Sequence, residues 1–384
     1  MKKIVVLTIS LILLTGCGKK STEDLVNKFE KNVTNAKSYI LKGNMEILSN
    51  EETYTYSLET KFLKENYYKV TLVNQTNNHE QIILRNGDGV FVISPSLNKS
   101  FKFQSEWPSN SSQVYILSSL LNDIKNDSEK SLEKIDKGYV IKTKVNYPNN
   151  KELSYQKIYF DESMNLEKVE VYNSSDIINI KATFSSINLK GGLDENDFAL
   201  KELIDISKDN TQNNQKEENT NKGNKTDKNN SSNDNTTNKD NKSEENTNGE
   251  TNENKTCENE ECDTKSSNIL DSIIYPLYIP SKTYLSNSEK IDTDDGNRVI
   301  LTFAGEKNFV LIEEVANIAN DFEVIPVYGD PVMLSDTIAA KSANSMYWTS
   351  DNISYYLTSS DLTTEEMVTI AESLGNTKSV ANSK

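Results

Sequence analysis

The chain has 384 residues, enough for two folded modules and a connection between them. Its net charge of −16, from 42 Lys and Arg against 58 Asp and Glu, excludes the basic face that a nucleic-acid partner requires. The one histidine, His79, and the three cysteines, Cys17, Cys257 and Cys262, are not clustered as a structural zinc site with about four N or S donors requires, so neither a metal nor a cofactor is expected.

The chain opens with MKKIVVLTISLILLTGC. Lys2 and Lys3 precede an apolar run, Ile4 to Leu14, that is shorter than the about 20 residues of a membrane-spanning helix and fits the core of a secretory signal. The ending Leu14-Thr15-Gly16-Cys17 resembles the lipobox of bacterial lipoproteins. That resemblance implies a diacylglyceryl group on Cys17, which becomes the N-terminus of a mature chain tethered to the extracytoplasmic face of the cell membrane. Two acyl chains suffice for stable anchoring where one holds only marginally. The expected organisation is a signal peptide over 1–17, an N-terminal module over 21–206, a linker over 207–268, a C-terminal module over 269–376 and a tail over 377–384.

The N-terminal module begins as a helix. Ser21 with Asp24 makes a cap-like start, and Leu25, Phe29, Val33, Ala36 and Ile40 recur at helical spacing. Strands follow. YTYSLETKF puts Tyr54, Tyr56, Leu58, Thr60 and Phe62 on one face. YVIKTKVNY does the same with Tyr139, Ile141, Thr143, Val145 and Tyr147, and IINIKATFSSI with Ile178, Ile180, Ala182 and Phe184. Period-2 alternation marks strands with one buried face. Turns fall at Asn86-Gly87-Asp88-Gly89 and Pro148-Asn149-Asn150. A second helix is predicted from Ser109 to Lys125, with Val114, Leu117, Leu120, Leu121 and Ile124 on its stripe. About nine or ten antiparallel strands and two helices predict an α+β fold, one curved sheet forming a half-barrel with the helices in its concave face.

From Ser207 to Asn268 the composition changes: Asn, Lys, Thr, Glu, Asp and Ser fill the stretch, and no aliphatic or aromatic residue occurs. Such a segment cannot bury enough apolar surface to offset its chain entropy, so it is expected to be disordered and to span about 40–45 Å as a random coil. Cys257 and Cys262, in CENEEC, lie inside it. They read as incidental or locally bridged cysteines rather than as a metal site, because two soft ligands in an acidic disordered loop hold a metal weakly. Beyond the linker, RVILTF and NFVLIEEV read as strands, and MYWTSDNISYYLTSSDLTTEEMVTIAESLG as an aromatic hairpin and a closing helix. Thr363 with Glu366 makes a capping box. Met367, Ile370, Ala371 and Leu374 form the core face, and Gly375 stands at the C-terminal stop.

The run EQIILRNGDGVFVISPSLNKSFKFQSEWPSNSSQVYILSSLLNDI, residues 80–124, resembles sporulation and germination lipoproteins of spore-forming Firmicutes, a group assigned to the LolA/LolB-like lipoprotein-carrier superfamily. The resemblance covers about residues 22–206. A composition rich in Lys and Asn, with 18 tyrosines against two tryptophans, fits a low-GC Gram-positive source. The family implies a non-enzymatic envelope protein that either supports another protein, such as a cortex-modifying cell-wall amidase, by direct contact, or holds an acyl chain in its half-barrel. Firmicutes lack an outer membrane, so the literal carrier role does not simply transfer. The C-terminal segments are similar to a small domain of bacterial envelope sensors and sigma-factor regulators. A LolA-like domain followed by a smaller one is also the order in periplasmic regulators that bind an anti-sigma factor, although the long acidic linker departs from their short connection.

Candidate site residues are few. His79, in NQTNNHEQ, reads as a polar loop residue. Asp161, Glu162, Asp194, Glu195 and Asp197 fall at strand ends and turns, without the aromatic platform that a sugar hydrolase presents, so no catalytic residue is assigned. Lys99, Phe101, Lys102, Phe103 and Trp107 mix cations with aromatics. Either Phe101 and Phe103 simply face the core, or the run is a partner or ligand contact at the mouth of the half-barrel. Three functions follow: an anchored lipoprotein that binds a partner protein in sporulation or germination, a lipid or lipoprotein carrier, and an envelope sensor in a sigma-factor pathway. The first is favoured, since inward tyrosines at 54, 56, 139 and 147 leave less room for a lipid.

Overall fold

A computed structural model describes residues 22–49, 52–201, 269–270, 272–293 and 296–374. The signal segment with Cys17, the stretch 202–268 with Cys257 and Cys262, and the expectations for Ser21 and Gly375 lie outside the described residues.

The N-terminal module runs α1 (Thr22–Asn35), β1 (Ser38–Ser49), β2 (Glu52–Leu63), β3 (Tyr67–Asn74), β4 (Glu80–Asn86), β5 (Gly89–Ser94), β6 (Lys99–Phe103), α2 (Leu117–Asn126), β7 (Ser131–Ile135), β8 (Gly138–Lys144), β9 (Leu153–Asp161), β10 (Leu166–Asn173) and β11 (Ile178–Asn188). The C-terminal module adds β12 (Thr283–Thr293), β13 (Gly296–Gly305), β14 (Phe309–Val315), β15 (Glu323–Val327), β16 (Gly329–Met333), β17 (Ile338–Ser342), β18 (Ser345–Ser350), β19 (Ile353–Thr358) and α3 (Thr364–Leu374). The fold is α+β, with mostly strands, as the alternation patterns predict.

The first sheet has twelve strands in the order β15-β6-β5-β4-β3-β2-β1-β11-β10-β9-β8-β7. The pairings within β1–β11 are antiparallel, whereas β15 joins β6 in parallel. The strand count exceeds the expectation because short β7 and a strand from the C-terminal module both join. Where β1 meets β11 the register shifts at Gly43, and a Cβ there would collide with the Thr183 carbonyl. Only glycine lets the two backbones approach so closely.

One apolar core fills the concave side of this sheet. Leu25, Val26, Phe29 and Val33 turn α1 inward, and Leu117, Leu120, Leu121 and Ile124 do so for α2. Phe29 packs edge-on against Phe160 of β9, with ring centroids 5.1 Å apart. Each such fully buried side chain stabilises the fold by about 1.5–3 kcal/mol relative to exposure.

Two helix boundaries differ from the spacing argument. Ile40 lies in β1, where its backbone pairs opposite Lys61 and Asn188. Helix α2 begins at Leu117, not Ser109. The serines before it are engaged elsewhere: the Ser112 N–H donates to the Asn146 carbonyl at 2.7 Å, and the Ser112 hydroxyl accepts from the Asn146 N–H at 2.8 Å. Val114 is buried without belonging to the helix.

The second sheet has seven strands, ordered β12-β13-β14-β19-β18-β17-β16. Trp348 stacks on Tyr355 at 5.1 Å, and α3 covers that core with Met367, Ile370, Ala371 and Leu374. The capping box forms: the Thr363 N–H donates to Glu366 Oε2 at 2.8 Å, and the Glu366 N–H donates to Thr363 Oγ1 at 3.2 Å.

Candidate functional site

The aromatic-basic run from Lys99 to Trp107 is where the two modules meet. Strand β6 pairs with β5 on one side and with β15 on the other, Lys99 opposite Glu323, Phe101 opposite Ile325 and Phe103 opposite Val327. Phe101, Phe103 and Trp107 are buried, Lys99 is half-buried and Lys102 is exposed, its ammonium 5.5 Å from the Phe91 ring. The β6 edge within that run is therefore occupied by the chain's own C-terminal module. Pro326 in β15 suits this position, since a proline is tolerated on an edge strand.

A second joint lies at the loop between β16 and β17. The buried side chain of Gln81 accepts from the Ile338 N–H at 2.7 Å and from Thr337 Oγ1 at 3.2 Å. The Tyr56 hydroxyl donates to the Ser335 carbonyl at 2.8 Å. Ile338 and Ala340 join the half-barrel core directly. Buried polar groups matched this completely hold a loop in one geometry.

Next to this joint a cavity of 1310 Å³ opens between the modules. Its apolar wall comes from both sides, including Ile47 of β1, Ile180 of β11, Met333 of β16 and Val368 of α3. The site is missed from sequence because its walls combine strand ends, turns and one face of α3 with no shared periodicity. Its charged lining is unbalanced: Glu52, Glu152, Glu365 and Glu372 against Lys151. Lys151 Nζ lies 2.6 Å from Glu365 Oε1, an ion pair that bridges the N-terminal module to α3 across the mouth. Glu372 accepts from the Ser335 hydroxyl at 3.1 Å. Burial pushes its carboxyl up to about 7; the Ser335 hydrogen bond opposes this, and the charges of Asp336 and Glu152 add to it. In the wall, Asn179 Oδ1 is buried and accepts no hydrogen bond.

The other polar residues singled out from sequence do structural work. Asp161 accepts from the Asn165 backbone and side chain, both at 2.8 Å, and Asp194 with Asp197 closes a capping box around a short 3-10 turn. Glu162 and Glu195 are exposed on the turns that follow. His79 sits at the β3–β4 turn, where its carbonyl accepts from the Asn74 N–H at 2.9 Å, and burial pushes its imidazole pKa down. None of these residues lines the cavity.

Across 367 residues, 95% of this chain and 94% of the relative, the sequence is 34% identical to the sporulation protein YdcC of Bacillus subtilis (strain 168). The chain belongs to the YdcC family. The resemblance to sporulation proteins read from residues 80–124 is thus borne out across nearly the full length of this YdcC-family chain. No family model matches it. Among solved structures, the MucA/MucB complex of Pseudomonas aeruginosa aligns over 90% of this chain and 96% of that one, at 10% identity and a TM-score of 0.29. The CwlD amidase of Clostridioides difficile in complex with the GerS lipoprotein aligns over 44% of this chain and 96% of that one, at 17% identity and a TM-score of 0.27. The LolA superfamily protein NE2245 of Nitrosomonas europaea aligns over 47% and 98%, at 12% identity and a TM-score of 0.29. Likeness at this level carries no functional argument for the YdcC-family chain.

Proposed function

We propose that this chain is a non-enzymatic envelope lipoprotein, anchored through Cys17 on the extracytoplasmic face of a Gram-positive cell membrane, that acts in sporulation by binding a partner protein. The observation that carries this reading is the cavity between the modules, whose apolar and charged groups come from both halves of the chain. A seat built from two modules responds to its occupant by changing how they are held together, which suits a binding protein. The 34% identical relative, a sporulation protein, supports the sporulation setting. A cell-wall amidase is one partner class that the resemblance suggests.

The test is capture. A photo-crosslinking residue at Thr369, which is exposed on α3 and lines the cavity, is placed in the full chain and activated in sporulating cells. A single crosslinked protein that depends on sporulation supports the reading. Crosslinks to lipid alone favour a second reading, an acyl-chain carrier, to which the apolar walls at Ile47, Ile180 and Met333 also lend themselves. The sigma-factor sensor reading is supported instead if the captured protein is a membrane-bound transcriptional regulator.

A further inference from the structure

Resting on the cavity as the partner's seat, we infer that its occupant is an extended segment of the partner protein carrying a lysine or arginine among apolar residues, with that cation against Glu372. Size comes first. At 1310 Å³ the cavity exceeds the roughly 300–1,000 Å³ of small-molecule sites. It therefore has room for an occupant larger than a metabolite.

Charge comes next. Of the lining carboxylates, Glu365 is paired with Lys151, and Glu52 accepts from the Tyr54 hydroxyl at 2.7 Å. Glu152 and Glu372 have no cation on the cavity wall. Asp336 adds a further carboxylate beside Glu372, and it accepts from the Ser350 hydroxyl. A carboxylate drawn out of water without a cation is costly, and a cation brought in by a ligand removes that cost. The chain's net charge of −16 steers basic segments toward it.

The polar lining separates a peptide from a lipid. An acyl chain is best matched by a continuous apolar wall. Here Asn149, Asn150, Asn173 and Asn179 line the wall, and among the described residues no donor reaches the buried Asn179 Oδ1. Strand β16 ends the second sheet, and its stretch Pro331–Met333 lines the cavity; among the described residues no strand pairs with its outer edge. Amides and a strand edge satisfy the donors and acceptors of a peptide backbone, which a lipid tail does not have.

The groups facing Glu372 also set a pH dependence. Asp336 and Glu152 push its carboxyl up, Ser335 donates to it, and Glu52, Glu365 and Lys151 complete the charged lining. A bound cation favours the ionised carboxylate, so binding tightens as pH rises from about 6 to about 8.

The experiment titrates the full mature chain with a fluorescent decapeptide of alternating leucine and lysine, its leucine–glutamate counterpart, and dodecylamine. The basic peptide should bind saturably and more tightly at the higher pH. Glu372→Gln should weaken it at least about tenfold, a loss of about 1.4 kcal/mol. Thr369→Trp, which adds bulk from an exposed position on α3, should weaken it as well while melting as the wild type does, and Glu372→Gln should melt no lower than the wild type. Equal binding of both peptides, or binding that Glu372→Gln leaves unchanged, overturns the inference. So does saturable binding of dodecylamine without the basic peptide, which assigns the cavity to an aminated amphiphile. A partner captured equally well by Glu372→Gln and Thr369→Trp chains removes this inference while the protein-binding function stands.

Discussion

The ring of Phe101 lies 4.9 Å from that of Tyr347, tilted by 44°. Phe101 belongs to β6 of the N-terminal module and Tyr347 to β18 of the C-terminal one, so this contact crosses between sequence regions that flank the linker. The parallel pairing of β15 with β6 and the hydrogen bonds of Gln81 and Tyr56 lie on the same side of the half-barrel. The modules therefore share a core and a sheet.

The first prediction follows from that shared sheet. A protease site inserted within 207–268 should allow cleavage without separation: the two fragments should co-elute on size-exclusion chromatography under native conditions. An aromatic pair contributes about 0.5–1.5 kcal/mol beyond its area, so Tyr347→Ala should weaken the association of the cut halves. Elution of the N-terminal fragment alone would show that the shared sheet does not hold the modules together.

Trp107 is a core residue, and its truncation should act on stability. It is 2% exposed, it packs edge-on against Tyr68 at 6.1 Å, and its carbonyl accepts from the Arg85 guanidinium. Trp107→Ala should cost about 3–5 kcal/mol in chemical denaturation. A Trp107→Ala chain with wild-type stability and lost partner capture would return this residue to the role of an interface anchor.

Stability should fall between mildly acidic and mildly alkaline pH. Burial pushes Asp123 up to about 6, against hydrogen bonds from Ser112 and Gln156, and pushes Glu313 up to about 7, against one from the Ile274 N–H. Both bind a proton more readily folded than unfolded. Their contribution is complete below their ordinary values of 3.8 and 4.5 and is lost as pH rises through about 6 and about 7. Asp161 and Asp361, held low by hydrogen bonds, act in the opposite sense and lose their contribution at strongly acid pH. Thermal melts should give a higher Tm near pH 5 than near pH 8. Glu313→Gln should raise the Tm at the alkaline end by about 2–4 °C, the scale of 1 kcal/mol in a fold of this size, and change it little at the acid end. A Tm that is flat across this range would contradict the assignment.

Cys17→Ala should release the mature chain from membranes. The lipobox resemblance proposes Cys17 as the anchor, and two acyl chains there would account for stable attachment. Fractionation with a salt wash checks this, and a Cys17→Ala chain that stays in the membrane fraction would refute lipidation as the anchor.

The amino-acid sequence by itself determined the local pieces. Alternation at Tyr54, Tyr56, Leu58 and Thr60 marked the inner face of β2, and Thr363 with Glu366 marked the start of α3, because side-chain period and capping are short-range properties. Residues 80–124 carried the family, and the YdcC relative agrees. What covers a buried face is a different kind of information. Phe101 and Phe103 could be read as inward, but the strand that closes their edge, Glu323–Val327, lies more than two hundred residues away, and its parallel pairing leaves no local signal. The cavity walls are strand ends, turns and a face of α3 brought together only by that docking. The raised pKa of Glu372 is a tertiary property in the same sense: it comes from the burial of one carboxyl at the cavity between the modules, and no neighbour in sequence dictates it.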